Sequence, residues 1–170
     1  AKANPGKLTY ASAGNGTSQH LAGELFKKLA GVNILHVPYR GGAPAIQDIV
    51  AGNCDIMFGN MPEFLGQIGG GGLIPIAFGS PRPSPLFPNL PLISKFLPGY
   101  EVVNWFAVFG SKGLPTDLVM LWNKALRAAV AKPDMQKRFL DNGMDTIIGS
   151  PEELKATIVA DRKKWAAVIQ

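Results

Sequence analysis

The sequence predicts an α/β fold in which a mainly parallel sheet is flanked by helices. Three observations carry that expectation. A short β-prone run, a glycine-bearing turn and a stretch of helical periodicity follow one another three times between Leu8 and Ile68. The connections between these runs are short, as they are in compact α/β units. Parallel strands that follow one another along a chain need right-handed crossovers, and intervening helices supply them.

Leu8–Ala11 is the first β-prone run, and Ser12-Ala13-Gly14-Asn15-Gly16 turns the chain. Leu21, Leu25, Phe26 and Leu29 then recur at helical spacing, with Thr17 or Ser18 placed to cap the first turn. Ile34–Tyr39 reads as the second strand, Arg40-Gly41-Gly42 breaks it, and Ala43–Ala51 reads as a helix with Pro44 in its first turn. Asp55–Phe58 reads as a third strand, Gly59-Asn60 as a turn, and Pro62 opens a helix through about Ile68. Leu73–Phe78 is expected to be a fourth strand.

Between Ser80 and Pro98 six prolines break any regular element, so this stretch reads as a crossing segment. Beyond it, Tyr100–Phe109 alternates and is aromatic, as a strand would be. Pro115–Ala131 and Met135–Leu140 read as helices and Asp145–Ile148 as a short strand. Ser150-Pro151-Glu152-Glu153 then starts a helix, with proline at the first position and acids at the positive end of the dipole.

Composition excludes several function classes. At 170 residues, 46% hydrophobic and 17% charged, the chain has apolar content enough for one compact domain or a lobe plus part of another. Its apolar runs stop well short of the ~20 residues a membrane span requires. The net charge is +5, yet Lys and Arg are scattered, with no basic stripe or stacking platform for nucleic acid. The lone Cys54 excludes an intrachain disulfide, has no cationic sequence neighbour to activate it, and reads as a small buried thiol. His20 and His36 stand apart from any acidic or cysteine cluster at ligand spacing, so no metal site is expected. Ala1–Gly6 has neither a basic nor an apolar leader region, so no signal peptide is read in this sequence.

The expected binding edge follows from topology. In an open parallel sheet the carboxyl ends of the strands face one edge, where loops and helix starts form a crevice. Ser12–Ser18, Tyr39–Gly42 and Gly59-Asn60 would converge there. Their candidate ligand-binding residues are Ser12, Ala13, Gly14, Asn15, Gly16, Thr17, Ser18, Tyr39, Arg40, Gly41, Gly42 and Asn60. Helix-start N–H groups and hydroxyls suit an anion, and a carboxylate held this way needs no catalytic residue. Thr17 and Ser18 either donate to the ligand or only cap the helix. Arg40 either neutralises a carboxylate or points into water, and Tyr39 either walls the pocket or packs sideways. Gly14-Asn15-Gly16-Thr17 lacks the lysine and spacing of a P-loop and the third glycine of a dinucleotide fingerprint, so no nucleotide cofactor is expected. No paired acid and base or activated nucleophile stands beside these loops, which disfavours an enzyme acting on small organic acids.

Asn4–Glu24 resembles, almost letter for letter, the run that opens the second lobe of the extracytoplasmic receptors of tripartite tricarboxylate transporters, the Bug-type (TctC-like) periplasmic binding proteins. His36–Ala45 and Asp55–Asn60 are similar to two further family runs, in the same order, and the likeness continues through Trp105-Phe106, Gly113-Leu114-Pro115 and Gly149–Glu153. The resemblance implies a periplasmic-binding-protein type II-like lobe over 1–80, a Pro-rich crossing segment over 81–99, and elements over 100–170 that in the family complete the first lobe. It implies a non-enzymatic periplasmic receptor that captures a small carboxylate, a di- or tricarboxylate or an acidic amino acid, for membrane permease subunits. The amino-terminal half of the family's first lobe has no counterpart in this sequence. Residues from Tyr100 onward are therefore expected to expose apolar surface, and the chain to self-associate as a half-receptor without ligand binding or to bind ligand with half a cleft. Gly69–Gly72 replaces a family lysine after a single glycine and is expected to loosen that turn or be locally disordered.

Overall fold

A computed structural model describes residues 1–169, which form two compact units, Ala1–Asn104 and a second beginning at Trp105. The first unit is built on three parallel strands, β1 (Thr9–Ser12), β2 (Leu35–Pro38) and β3 (Ile56–Met57), in the order β2-β1-β3. Tyr10 pairs with His36 on one side and Ile56 on the other, and Ala11 pairs with Val37 and Met57. The central strand is the most deeply buried, with Tyr10, Ala11 and Ser12 all at 0% exposure.

Alternation along β1 divides its side chains between two helices. Tyr10 faces α1 (Ser18–Ala30), where Gly23 leaves room for it: a Cβ there would clash with one edge of the Tyr10 ring. That ring stacks on His36 at 4.7 Å and meets Phe58 edge-on at 5.9 Å, and burying it contributes roughly 1.5–3 kcal/mol. Ala11 faces the opposite side and packs with Ala45 of α2 (Gly42–Val50) and with Cys54, against which Val37, Tyr39, Ile49 and Met57 also lie. The strand therefore has a helix on each face, as the strand–turn–helix rhythm predicts.

The helix ends follow the local chemistry. Thr17 caps α1 by accepting from His20 N–H at 3.3 Å, and Gly31, at φ 61°, closes it by donating to Lys27 O. Helix α3 (Met61–Gly69) has Pro62 in its first turn. The following glycines are ordered by three returning bonds, Gly70 N–H to Gly66 O, Gly71 N–H to Ile68 O and Gly72 N–H to Gln67 O, with Gly71 at φ 75°. The tract therefore ends the helix in a hydrogen-bonded turn.

Leu73–Phe78, Tyr100–Phe109 and Asp145–Ile148 are not strands. Phe78 makes one isolated parallel bridge to Leu92, Pro75 has no N–H to give, and Ile74 and Ile76 are 85% and 72% exposed. Val102 N–H reaches Gly79 O at 2.8 Å and the pairing goes no further. A β-prone sequence becomes a strand only when a partner supplies the other half of its hydrogen bonds, and among the described residues these segments find no more than such isolated contacts. The Pro-rich stretch carries a single 3-10 turn, Ile93–Lys95.

The second unit contains α4 (Thr116–Val130), α5 (Pro133–Asp141) and α6 (Pro151–Ile169). At the start of α6, Ser150 N–H donates to Glu153 Oε2 at 2.6 Å and Glu153 N–H to Ser150 Oγ at 3.2 Å, a reciprocal capping box. Trp105 Nε1 donates to Asp161 at 2.6 Å and Asn123 to Gly149 O at 3.0 Å.

Candidate functional site

Because β1, β2 and β3 are parallel, the loops that follow them leave the sheet at one edge. The first is held by its own polar groups. Ser12 Oγ receives Gly14 N–H at 3.1 Å and shares a hydrogen bond of 2.7 Å with His36 Nε2. Gly14 adopts φ 131°, and a Cβ on it would press to 3.2 Å from Tyr39 O, so the first two loops touch through backbone that only glycine allows. Tyr39 N–H donates to Ser12 O and Gly41 N–H to Ala13 O, which fastens the second loop along the first.

Behind the first loop the rings of His20 and His36 stack at 4.2 Å. His20 Nδ1 accepts Gly16 N–H at 3.1 Å. Burial first, and the neighbouring His20 second, push His36 below the ordinary imidazole value. On the far side Tyr10 OH donates to Glu24 at 2.6 Å, and Lys27 holds the same carboxylate at 2.8 Å. Burial and Glu24 raise the Tyr10 phenol well above its usual range. Glu24 is lowered: burial works against ionisation, and the bonds from Lys27 and Tyr10 outweigh it. Ser12 and His36 do not form a nucleophile pair open to substrate, because Ser12 is fully buried.

The predicted residues divide by what their groups are already bound to. Thr17 Oγ1 is committed to the loop, donating to Gly14 O at 2.7 Å while it caps α1. Tyr39 packs sideways: its hydroxyl donates to Asp48 at 2.6 Å and lies 3.5 Å from Cys54 Sγ. The Asp48 bond holds the Tyr39 phenol above its ordinary value and lowers Asp48. Arg40 is exposed and forms no ion pair with a described residue. Asn15 and Gly16 are exposed, and Ser18 is half-buried. The first N–H groups of α1 and α2, at Ser18, Gln19, Gly42 and Ala43, have no intrahelical acceptor.

Two residues outside the predicted set join the loops. Gln19 is 4% exposed; its Oε1 takes Ala13 N–H at 2.6 Å and its Nε2 donates to Glu63 Oε2 at 2.8 Å. Glu63 Oε1 accepts from Asn60 Nδ2 at 2.9 Å, and Asn60 Oδ1 accepts from Asn104 at 2.9 Å. The Asn60-x-x-Glu63 spacing, a helix cap followed by an acid three residues on, is the signal that could have found Glu63. Gln19 sits inside the first turn of α1 with no spacing cue. Among the described residues no group of three His, Cys, Asp or Glu is placed to hold a metal, and no helix is long and apolar enough to cross a membrane.

Comparison with known proteins fits this arrangement. The family described as tripartite tricarboxylate transporter family receptor matches residues 1–170. A UPF0065 protein in the tcbD-tcbE intergenic region of Pseudomonas sp. strain P51 is 38% identical over 99% of this chain, which covers 51% of that relative. The solved structure of R. palustris Rpa4515 with adipate superposes with a TM-score of 0.94 at 30% identity, over 99% of this chain and 56% of that one. The periplasmic binding protein BugD gives 0.88 at 32% identity, over 98% and 57%. The chain thus spans about half the length of the proteins it matches. It belongs to the tripartite tricarboxylate transporter receptor family.

Proposed function

We propose that this chain supplies the gripping loops of an extracytoplasmic receptor, which captures a small carboxylate in the periplasm and presents it to the permease subunits of a tripartite transporter. The observation that carries this is the convergence of the β1–α1, β2–α2 and β3–α3 loops at the carboxyl edge of the sheet, where two helices begin with unpaired N–H groups. Family membership and the adipate-bound relative support the same class of ligand. In this reading residues 1–80 are the ligand-binding lobe, 81–99 cross over, and 100–170 complete the other lobe. Backbone N–H groups of Asn15, Ser18, Gly42 and neighbouring positions, with the Ser18 hydroxyl, the Asn60 amide and the Arg40 guanidinium, receive the carboxylate. Ser12, Ala13, Gly14, Gly16, Thr17, Tyr39 and Gly41 set the loop shape. Binding without bond-breaking needs no catalytic group.

Thermal melting of the chain against a panel of dicarboxylates, tricarboxylates and acidic amino acids tests this, because a ligand specific for the folded state raises its melting temperature. The same panel is run on a chimera joining the chain to the remaining half of the adipate-bound relative. A shift in both places most of the binding energy in these loops. A shift in the chimera alone means that the cleft needs both halves. No shift in either overturns the proposal. A second reading, self-association of the isolated chain, is favoured by Phe106, Val108, Phe109 and Trp122, which are 60–79% exposed. Sedimentation that stays monomeric across a hundredfold range of concentration would exclude it.

A further inference from the structure

Glu63 puts a carboxylate where the three loops meet. Its Oε2 is bound by Gln19 at the start of α1, its Oε1 by Asn60 in the β3–α3 loop, and a Cβ on Gly42 would lie 3.2 Å from the same Oε2. The Gln19 amide cannot turn to meet it differently: Oε1 is committed to Ala13 N–H, so Nε2 faces the acid as a donor. Glu63 is itself exposed and forms no ion pair with a described residue. Two donors leave an ionised carboxylate with room for about two more.

Resting on the receptor reading, and sharpening it, we infer that Glu63 is a specificity-determining residue that selects carboxylates bearing an ammonium over plain dicarboxylates. A ligand acid seated on the N–H groups of α1 and α2 lies close to Glu63. A second ligand carboxylate turned toward Glu63 meets a like charge, whereas an ammonium turned toward it gains a charge-assisted hydrogen bond. Discrimination then comes from repulsion of one class as much as attraction of the other.

Matched pairs that share a carbon skeleton test this, namely succinate against aspartate and glutarate against glutamate. Binding is measured by calorimetry on the chain and on the chimera, each with and without Glu63→Gln. The unaltered protein is expected to prefer the amino member by about tenfold or more, the size of one charge-assisted contact. Glu63→Gln, which keeps an acceptor for Gln19, is expected to erase that preference mainly by strengthening the plain diacid. Equal affinity within each pair for the unaltered protein overturns the inference and leaves carboxylate capture standing. So does a Glu63→Gln variant that weakens both members by the same factor, since a tie between α3 and α1 would do that. No binding of any of the four by any protein overturns the receptor reading itself. Equal affinity in the unaltered protein overturns the inference even if Glu63→Gln folds poorly.

Discussion

Helices α1 and α4 are similar in length, 13 and 15 residues, and both carry an apolar stripe, yet they end up in different surroundings. Helix α1 buries Gln19, Ala22, Gly23 and Leu25, whereas α4, α5 and α6 bury no residue at all. The difference lies in what each helix finds beside it. Helix α1 lies on a strand paired on both sides. The second unit has no sheet, and its β-prone segments carry no ladder among the described residues. Backbone capping and periodicity are enough to make a helix, but burial requires an opposing surface.

That contrast is open to direct tests. The largest effect is expected from removing an aromatic ring in each unit. Tyr10→Ala should cost about 3–5 kcal/mol in urea unfolding, because the ring is fully buried. Trp122→Ala, at a side chain 60% exposed, should stay within about 0.5 kcal/mol. Equal losses would mean that the second unit has a core after all. Next in size, Gly23→Ala drives a methyl into the Tyr10 ring and should destabilise by about 1–3 kcal/mol despite alanine's better helix propensity. Gly66→Ala in α3, with open space around it, should instead stabilise by about 0.5–1 kcal/mol.

A smaller, local effect belongs to Ser150→Ala, which removes one arm of the capping box and should cost about 1 kcal/mol. It should fray α6 in amide-exchange measurements while the β1 amides stay as protected as before. The smallest concerns acid. The backbone N–H of Thr9 first, and its hydroxyl second, hold Asp55 below the usual carboxylate value. Because the folded value lies below the unfolded one, this stabilisation is complete above the unfolded pKa and is lost as pH falls through the folded pKa. Asp55→Asn should therefore flatten the acid limb of stability for the first unit, seen in melts between pH 5 and pH 2 at ~1-unit steps, and leave the helicity of α4 to α6 unchanged.

Much of the first unit was legible in advance because its signals are local. Thr17 caps α1, Pro62 starts α3, and the three strand–turn–helix rounds sit within a residue or two of their expected places. The three extra strands were misread for the converse reason. Leu73–Phe78, Tyr100–Phe109 and Asp145–Ile148 have strand-like composition, but composition does not name a partner. At the candidate site the loops were legible and the polar wiring was not. Gln19 and Glu63 lie 44 residues apart, and nothing in either neighbourhood reports the other. Tyr39 had two open readings, and only the position of Asp48 and Cys54 turned its ring toward α2.

By itself the sequence placed the helix starts to within a residue or two, the turn glycines after the first three β-prone runs, and the family. Those depend on residues within about one turn of each other, or on a run of letters matched in order. Only the tertiary structure decided which helices acquired a core, that Ser12 and His36 share a bond, and that Glu63 reaches Gln19 beside the start of α2. These follow from strand register and from two crossovers that bring distant segments to one sheet edge. A contact between residues that far apart depends on the packing of everything between them, and no local pattern carries it.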